Sequence, residues 1–294
     1  MKINPKRAIG GKGSAVATGP RQLLLFASLW SLRQYPSKPR EWSWARKFVA
    51  IRAAGFDGVF APPIPELEQR GKLLYLAVTS VGCGMPVART FAAARRLGAI
   101  GFDIQLCDHD TPLPAVVKTA QKIRQAARRA RLPFAIETHR DTFTETPEAT
   151  LALMRAYRRA TGEPLPLCLD HSHFAVVRHL ASAELWPRLA EPPALLQAAT
   201  QFHLRPFNGH HCQLPALDAS GRRTPEYREW LDYAAALLAH ERGRGPSAGP
   251  LPVVVEIGHA APAYRLSGFP DTWRDVVKVA ADLRRLWRNG RLSA

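Results

Sequence analysis

Eight short apolar runs alternate along this 294-residue chain with segments of helical period, and this alternation limits the fold more than any other feature. The runs cover residues 22–28, 58–61, 73–79, 101–106, 134–137, 167–170, 200–203 and 253–256. Parallel strands can be joined only by crossovers, so strict alternation of strand and helix demands a parallel sheet. Eight such units predict closure into one (β/α)₈ barrel, a single α/β domain with one large core. The barrel is expected over residues 21–294, behind a flexible tail of Gly, Lys and Ala over residues 1–20.

Local punctuation supports the helices. After Pro86, Val87, Phe91 and Ala94 fall on one face. Thr146-Pro147-Glu148 combines a cap, a first-turn proline and an acid suited to the helix dipole. The last helix opens at Asp271-Thr272, turns Trp273, Val276, Ala280, Leu283 and Trp287 inward, and stops at Asn289-Gly290. Residues 241–252, rich in Gly and Pro, read as a connection from helix to strand. Residues 206–224 form a long segment after the seventh strand, on the face where such barrels keep their active sites.

Composition excludes some classes. No apolar run approaches the roughly 18 to 20 residues that cross a bilayer. Residues 23–30 follow a basic leader but run on into Ser31, Leu32 and Arg33 as a strand does, without a small-residue cleavage site, so they are not read as a signal peptide. Four cysteines, Cys83, Cys107, Cys168 and Cys212, show no paired spacing, so neither a zinc knuckle nor a redox dithiol is indicated, and a reducing cytoplasm is the default location. The charge of +17 admits an anionic partner, but its arginines and lysines fit solvated helix faces. Lys118, Lys122, Gln125 and Arg129 lie opposite a stripe of Val116, Ala120, Ile123 and Ala127.

The chemistry lies at strand ends. Glu137, Asp170, His203 and Glu256 each terminate an apolar run, at intervals of 33, 33 and 53 residues. The first two intervals are one βα unit, and the third is a unit plus the long segment after His203. In a closed barrel such residues converge on the axis. A single acid there could merely cap the next helix. Several acids buried together are costly unless a cation compensates. Three carboxylates and one imidazole form a hard, oxygen-rich set. It predicts one divalent ion, with Mn²⁺ first and Mg²⁺, Co²⁺ or Zn²⁺ as alternatives.

The motifs Ile136-Glu137-Thr138-His139-Arg140-Asp141, Leu169-Asp170-His171-Ser172-His173-Phe174, Phe202-His203-Leu204-Arg205 and Val255-Glu256-Ile257-Gly258 resemble those of the xylose-isomerase-like TIM barrels, the sugar phosphate isomerase/epimerase family. The resemblance is strongest over residues 134–258. It implies Glu137, Asp170, His203 and Glu256 as metal ligands and His173 in contact with a small sugar or polyol substrate. It also implies that Glu137 and Glu256 exchange a proton with the carbon between them. His139, two residues past Glu137 and on the same face if the strand continues, is a candidate acid or base, with a loop histidine as the alternative. Arg140 and Arg205 are candidate substrate clamps, with ion pairing to Asp141 or another acid as the alternative. His211 and Gln213 resemble polar substrate-binding residues of some relatives. His171 is expected to face away, and His109, His179, His210, His240 and His259 to be surface or packing residues.

The resemblance therefore implies a metal-dependent sugar isomerase or epimerase, with a keto-sugar dehydratase or lyase as the alternative. Apurinic-site endonucleases share the barrel but need a trinuclear zinc site, and neither a histidine after the third strand nor the Asp-x-His expected after His203 is present. A non-catalytic binding barrel would have no need of all four ligands. Oligomeric state is not specified by the sequence, a homodimer being the arrangement considered.

Overall fold

The structure, a computed structural model, describes residues 21–260 and 268–290. The expected tail over residues 1–20 lies outside the described residues. Eight parallel strands close into a barrel in chain order: β1 (Leu23–Ser28), β2 (Gly58–Ala61), β3 (Leu74–Val81), β4 (Gly101–Leu106), β5 (Phe134–Glu137), β6 (Leu167–Asp170), β7 (Ala199–Leu204) and β8 (Leu251–Val255). The ring closes through β1 and β8, from Leu23↔Leu251 to Ala27↔Val255. This is a single-domain TIM barrel, and residues 23–28 are its first strand.

Helices α1 (Trp44–Ala53), α2 (Ala88–Arg96), α3 (Leu113–Ala130), α4 (Pro147–Thr161), α5 (His171–Val177), α6 (Leu185–Leu189), α7 (Pro193–Ala198), α8 (Pro225–Gly243) and α9 (Thr272–Asn289) surround it. Their signals act as read. Thr146 caps α4 by accepting from the Ala149 amide, Asp271 caps α9 through Arg274, and Gly290 ends α9 in the left-handed conformation. Val116, Ala120, Ile123 and Ala127 of α3 are buried, while Lys118, Lys122, Gln125 and Arg129 are exposed. Among the described residues no helix is long and apolar enough to cross a membrane.

Two elements depart from expectation. The unit after β2 holds a 3₁₀ turn, Pro65–Arg70, instead of an α-helix. Pro62, Pro63 and Pro65 withhold three backbone donors from a connection too short for several turns. The connection expected from residue 241 begins later, because α8 runs to Gly243 and keeps Glu241 buried against Arg21 and Arg244.

Side chains of alternate strand residues enter the barrel. Leu24, Phe26, Phe60, Leu76 and Val254 form an apolar plug there, and the larger core packs between the outer strand faces and the helices. The plug is the floor of the site.

Candidate active site

The inward alternation places the chemistry at one end of the barrel. Above the plug, at or just past the carboxyl ends of the strands, come Ser28, Glu137, Asp170, His203, Arg205 and Glu256, with Asp103 from within β4 beside them. Atoms of Glu137, Asp170, His203 and Glu256 all lie within 4.8 Å of one another. The four residues predicted from strand ends therefore meet. Glu137, Asp170 and His203 are almost wholly buried, and the Glu256 side chain keeps 13% of its exposure, facing the pocket.

His203 organises the group. Its Nδ1 stands 3.2 Å from Glu137 Oε1 and 3.2 Å from Glu256 Oε2, while Nε2 stands 3.0 Å from Asp103 Oδ2. None of these contacts is aligned as a hydrogen bond, and Glu137 Oε2 has no partner either. Buried polar atoms without partners are expensive. Burial opposes a charge on His203, yet Cys168, Glu137 and Asp103 around it push it well above the usual imidazole range. Burial likewise pushes Glu137 up, but His203 draws it down to about 2. A set of hard donors that attracts positive charge and has unpaired buried atoms fits a divalent cation.

Neighbouring residues fix the four. Asp170 takes the capping role weighed from sequence: Oδ1 caps α5 by accepting from the Ser172 amide at 3.0 Å, while Oδ2 faces Arg205 and His173. Its amide donates to Thr138 Oγ1 at 2.9 Å, so the threonine between Glu137 and His139 ties β5 to β6. Burial raises the Asp170 carboxyl, but Arg205 and His173 hold it well below the usual range. Ser28 donates to Glu256 Oε1 at 3.2 Å, and Ser31 accepts from the Ile257 amide at 3.0 Å. The Phe60 ring stands edge-on to His203, with centroids 4.9 Å apart.

Of the four, His203 and Glu256 line a pocket of about 710 Å³, within the usual range for a small-molecule site. His139, Arg140, His173, Arg205, His211 and Gln213 all line it. His139 Nδ1 bonds the Arg140 carbonyl at 2.6 Å. A carbonyl only accepts, so Nδ1 carries the hydrogen and Nε2 can take a proton. Burial lowers the His139 pKa, which keeps the ring neutral. His139 and His173 lie with ring centroids 4.3 Å apart.

The two arginines differ. Arg205 is buried and directs its guanidinium to Asp170, Ser172 Oγ and His173 Nε2. Arg140 is exposed and meets Cys212 Sγ at 3.6 Å, while Asp141 contacts His109. Gln213 binds both sides of one peptide residue. Its Oε1 accepts from the Gly258 amide at 2.9 Å, and its Nε2 donates to the Gly258 carbonyl at 3.4 Å. This amide clamps the segment after β7 to the segment after β8. That long segment is anchored as well by buried Phe207, Leu214, Ala216 and Leu217. His171 faces away, bonded to Tyr233 at 2.7 Å.

Several participants were missed from sequence. Asp103, fully buried on β4, is the main one; the available signal was an acid in the middle of an apolar strand, two residues from an inward Gly101. Burial and Glu137 raise its carboxyl to about 7. Trp30, Gln105 and Cys212 also line the pocket.

No protein-family model and no curated protein matches the chain. Solved structures do. D-allulose 3-epimerase from Methylomonas sp. superposes with a TM-score of 0.58 at 15% identity, over 92% of this chain and 99% of that one. The 3-keto-D-glucoside 4-epimerase of E. coli gives 0.54 at 16% identity, over 90% and 99%. A probable 3-DHS dehydratase from Bacillus anthracis gives 0.51 at 11% identity, over 90% and 98%. The chain shares the barrel fold of these structures. At these identities the likeness establishes the fold alone.

Proposed function

We propose that the chain is an enzyme, a divalent-metal-dependent isomerase or epimerase that moves a proton next to the carbonyl of a sugar or sugar derivative. The observation that carries this reading is the placement of two glutamates, Glu137 and Glu256, each 3.2 Å from His203 Nδ1, with His203 and Glu256 lining the pocket and Glu137 buried against them. Glu137, Asp170, His203 and Glu256 would hold the ion, Mn²⁺ being the first choice. When bound, the ion supplies Lewis acidity that polarises a substrate carbonyl.

The chain's own residues do the rest. Glu137 removes the proton from the carbon beside the carbonyl, and Glu256 returns one to the opposite face. His173, held between Asp170 and Arg205, orients a substrate hydroxyl. Arg140, whose guanidinium reaches the pocket without a carboxylate partner among the described contacts, binds an anionic or polyhydroxylated end of the substrate. His211 adds a polar contact from the segment after β7, and Gln213 holds that segment in place.

The test is solvent exchange. With metal bound, a competent ketose exchanges its α-hydrogen in deuterated water, read by mass spectrometry or proton NMR. Absence of exchange across a panel of ketoses and keto-acids rejects the reading.

A second reading keeps the same site but eliminates water from a keto-sugar. It is favoured by His139, a neutral imidazole in the pocket wall with Nε2 able to accept a proton. Elimination that depends on His139, with exchange surviving in His139→Ala, selects it over epimerisation.

A further inference from the structure

Cys83 and Cys107 lie 24 residues apart in sequence, yet their sulfur atoms are 3.4 Å apart. Among the described residues this is the one sulfur–sulfur contact. The ladder between β3 and β4 ends at Val81↔Leu106, and the Cys107 amide then donates to the Val81 carbonyl at 2.8 Å. One residue past the ladder, Cys107 turns into the left-handed region at φ 54, uncommon for a residue with a side chain. Its thiol meets that of Cys83, in the turn after β3. Thr119 Oγ1 stands 3.7 Å from Cys83 Sγ.

The pair lies close in sequence to two pocket residues, while Cys107 itself belongs to the core between barrel and helices. Ser80 donates to Gln105 at 2.8 Å, and both residues line the pocket, just before the two cysteines on their strands. Cys83 is exposed and Cys107 is buried at 5%. Closing from 3.4 Å to a disulfide bond requires an approach of about 1.4 Å, which a turn can supply.

We propose that Cys83 and Cys107 are a modification site: a dithiol that forms a reversible cross-link between the β3 and β4 ends by exchange with a low-molecular-weight disulfide such as oxidised glutathione. The exposed Cys83 thiolate attacks one sulfur of the reagent, forming a mixed disulfide and releasing one glutathione thiolate. Cys107, as thiolate, then attacks Cys83 Sγ, forming the internal bond and releasing the second glutathione. Two protein thiols are oxidised, one reagent disulfide is reduced to two thiols, and both protons pass to water or the leaving thiolates. Burial pushes the Cys107 thiol up to about 12, so the exposed Cys83 reacts first and the mixed disulfide precedes the internal one. The cross-link fixes the Ser80–Gln105 wall of the pocket.

The experiment incubates the full chain with oxidised glutathione, alkylates the remaining thiols and maps peptides by mass spectrometry. The expected result is a linked pair of peptides containing Cys83 and Cys107, loss of two of the four thiols, and reversal by dithiothreitol. Cys107→Ser stops at a stable glutathionyl group on Cys83, and Cys83→Ser takes up nothing at Cys107. A glutathionyl group that persists on Cys83 of the unaltered chain, a link to Cys212, or no reaction overturns the proposal. None of these outcomes depends on the reaction that the pocket catalyses.

Discussion

The two mouths of the barrel are built from the same strands and share little else. Following the inward column of β8, Pro252 gives way to Val254 and then to Glu256; on β7 Gln201 is followed by His203 and Arg205; on β1 Leu24 and Phe26 precede Ser28. At the amino end a hollow of about 260 Å³ is lined by Leu76, Phe102, Phe134 and prolines 133, 166 and 252, with no ionisable side chain. At the carboxyl end the floor is acidic and the walls basic. A carboxyl end has loops free to vary above it, whereas the amino end must hold the register of the strands. Stability and chemistry are thus divided along each strand over two or three residues.

This division is breakable by substitution, and the largest effect belongs to the carboxyl mouth. Glu137→Gln should lower α-hydrogen exchange by about 10⁴-fold, measured with saturating metal, since it removes the proton acceptor. Full exchange in that variant would end the two-glutamate account. Asp103→Asn, which alters the group facing the far nitrogen of His203, should weaken metal binding by about 10- to 100-fold in a titration. Unchanged affinity would reduce Asp103 to a packing residue.

At the amino end the effects should fall on stability alone. A Cβ on Gly58 would stand 2.5 Å from the Phe26 ring and 2.6 Å from the Leu74 carbonyl oxygen. Gly58→Ala should therefore cost about 3 kcal/mol in denaturant unfolding while leaving metal affinity intact. Loss of metal in a folded Gly58→Ala protein would show that the mouths are coupled.

The smallest effect lies outside both. Asp275 of α9 accepts from the Leu217 amide at 2.9 Å through one oxygen, the other is buried without a partner, and burial raises its carboxyl to about 7. The folded chain holds this proton more tightly than the unfolded one. Its stabilising contribution is fully present below the ordinary value of 3.8 and is lost as pH rises through about 7. Asp275→Asn should remove roughly 2 kcal/mol of that slope, read from unfolding at pH 5 and pH 8. An unchanged slope would assign the pH dependence to the acids of the carboxyl mouth.

How much of this was legible depends on where each residue sits in its strand. Glu137 and Asp170 were visible because an acid ends an apolar run, and position alone predicts convergence in a closed barrel. Glu256 was found for the same reason, although β8 ends one residue earlier. Asp103 was hidden because it lies inside its run, and only the inward phase of β4 reveals it. Pairings that depend on loop geometry left no pattern. The Gln213 clamp on Gly258 and the contact of Cys83 with Cys107 arise from turns whose course periodicity does not describe. The missing helix after β2 was foreshadowed by its prolines, since local chemistry there outweighs the repeat.

Trp30 adds one consequence for experiment. A Cβ on Gly258 would lie 2.1 Å from the Trp30 ring, so the absence of a side chain there lets the indole rest against the pocket wall. Of the seven tryptophans in the sequence, this is the one that lines the pocket. An occupant of the pocket therefore changes the surroundings of a single indole. Intrinsic fluorescence, with Trp30→Phe as the blank, becomes a label-free assay in which candidate compounds can be ranked before any turnover is known.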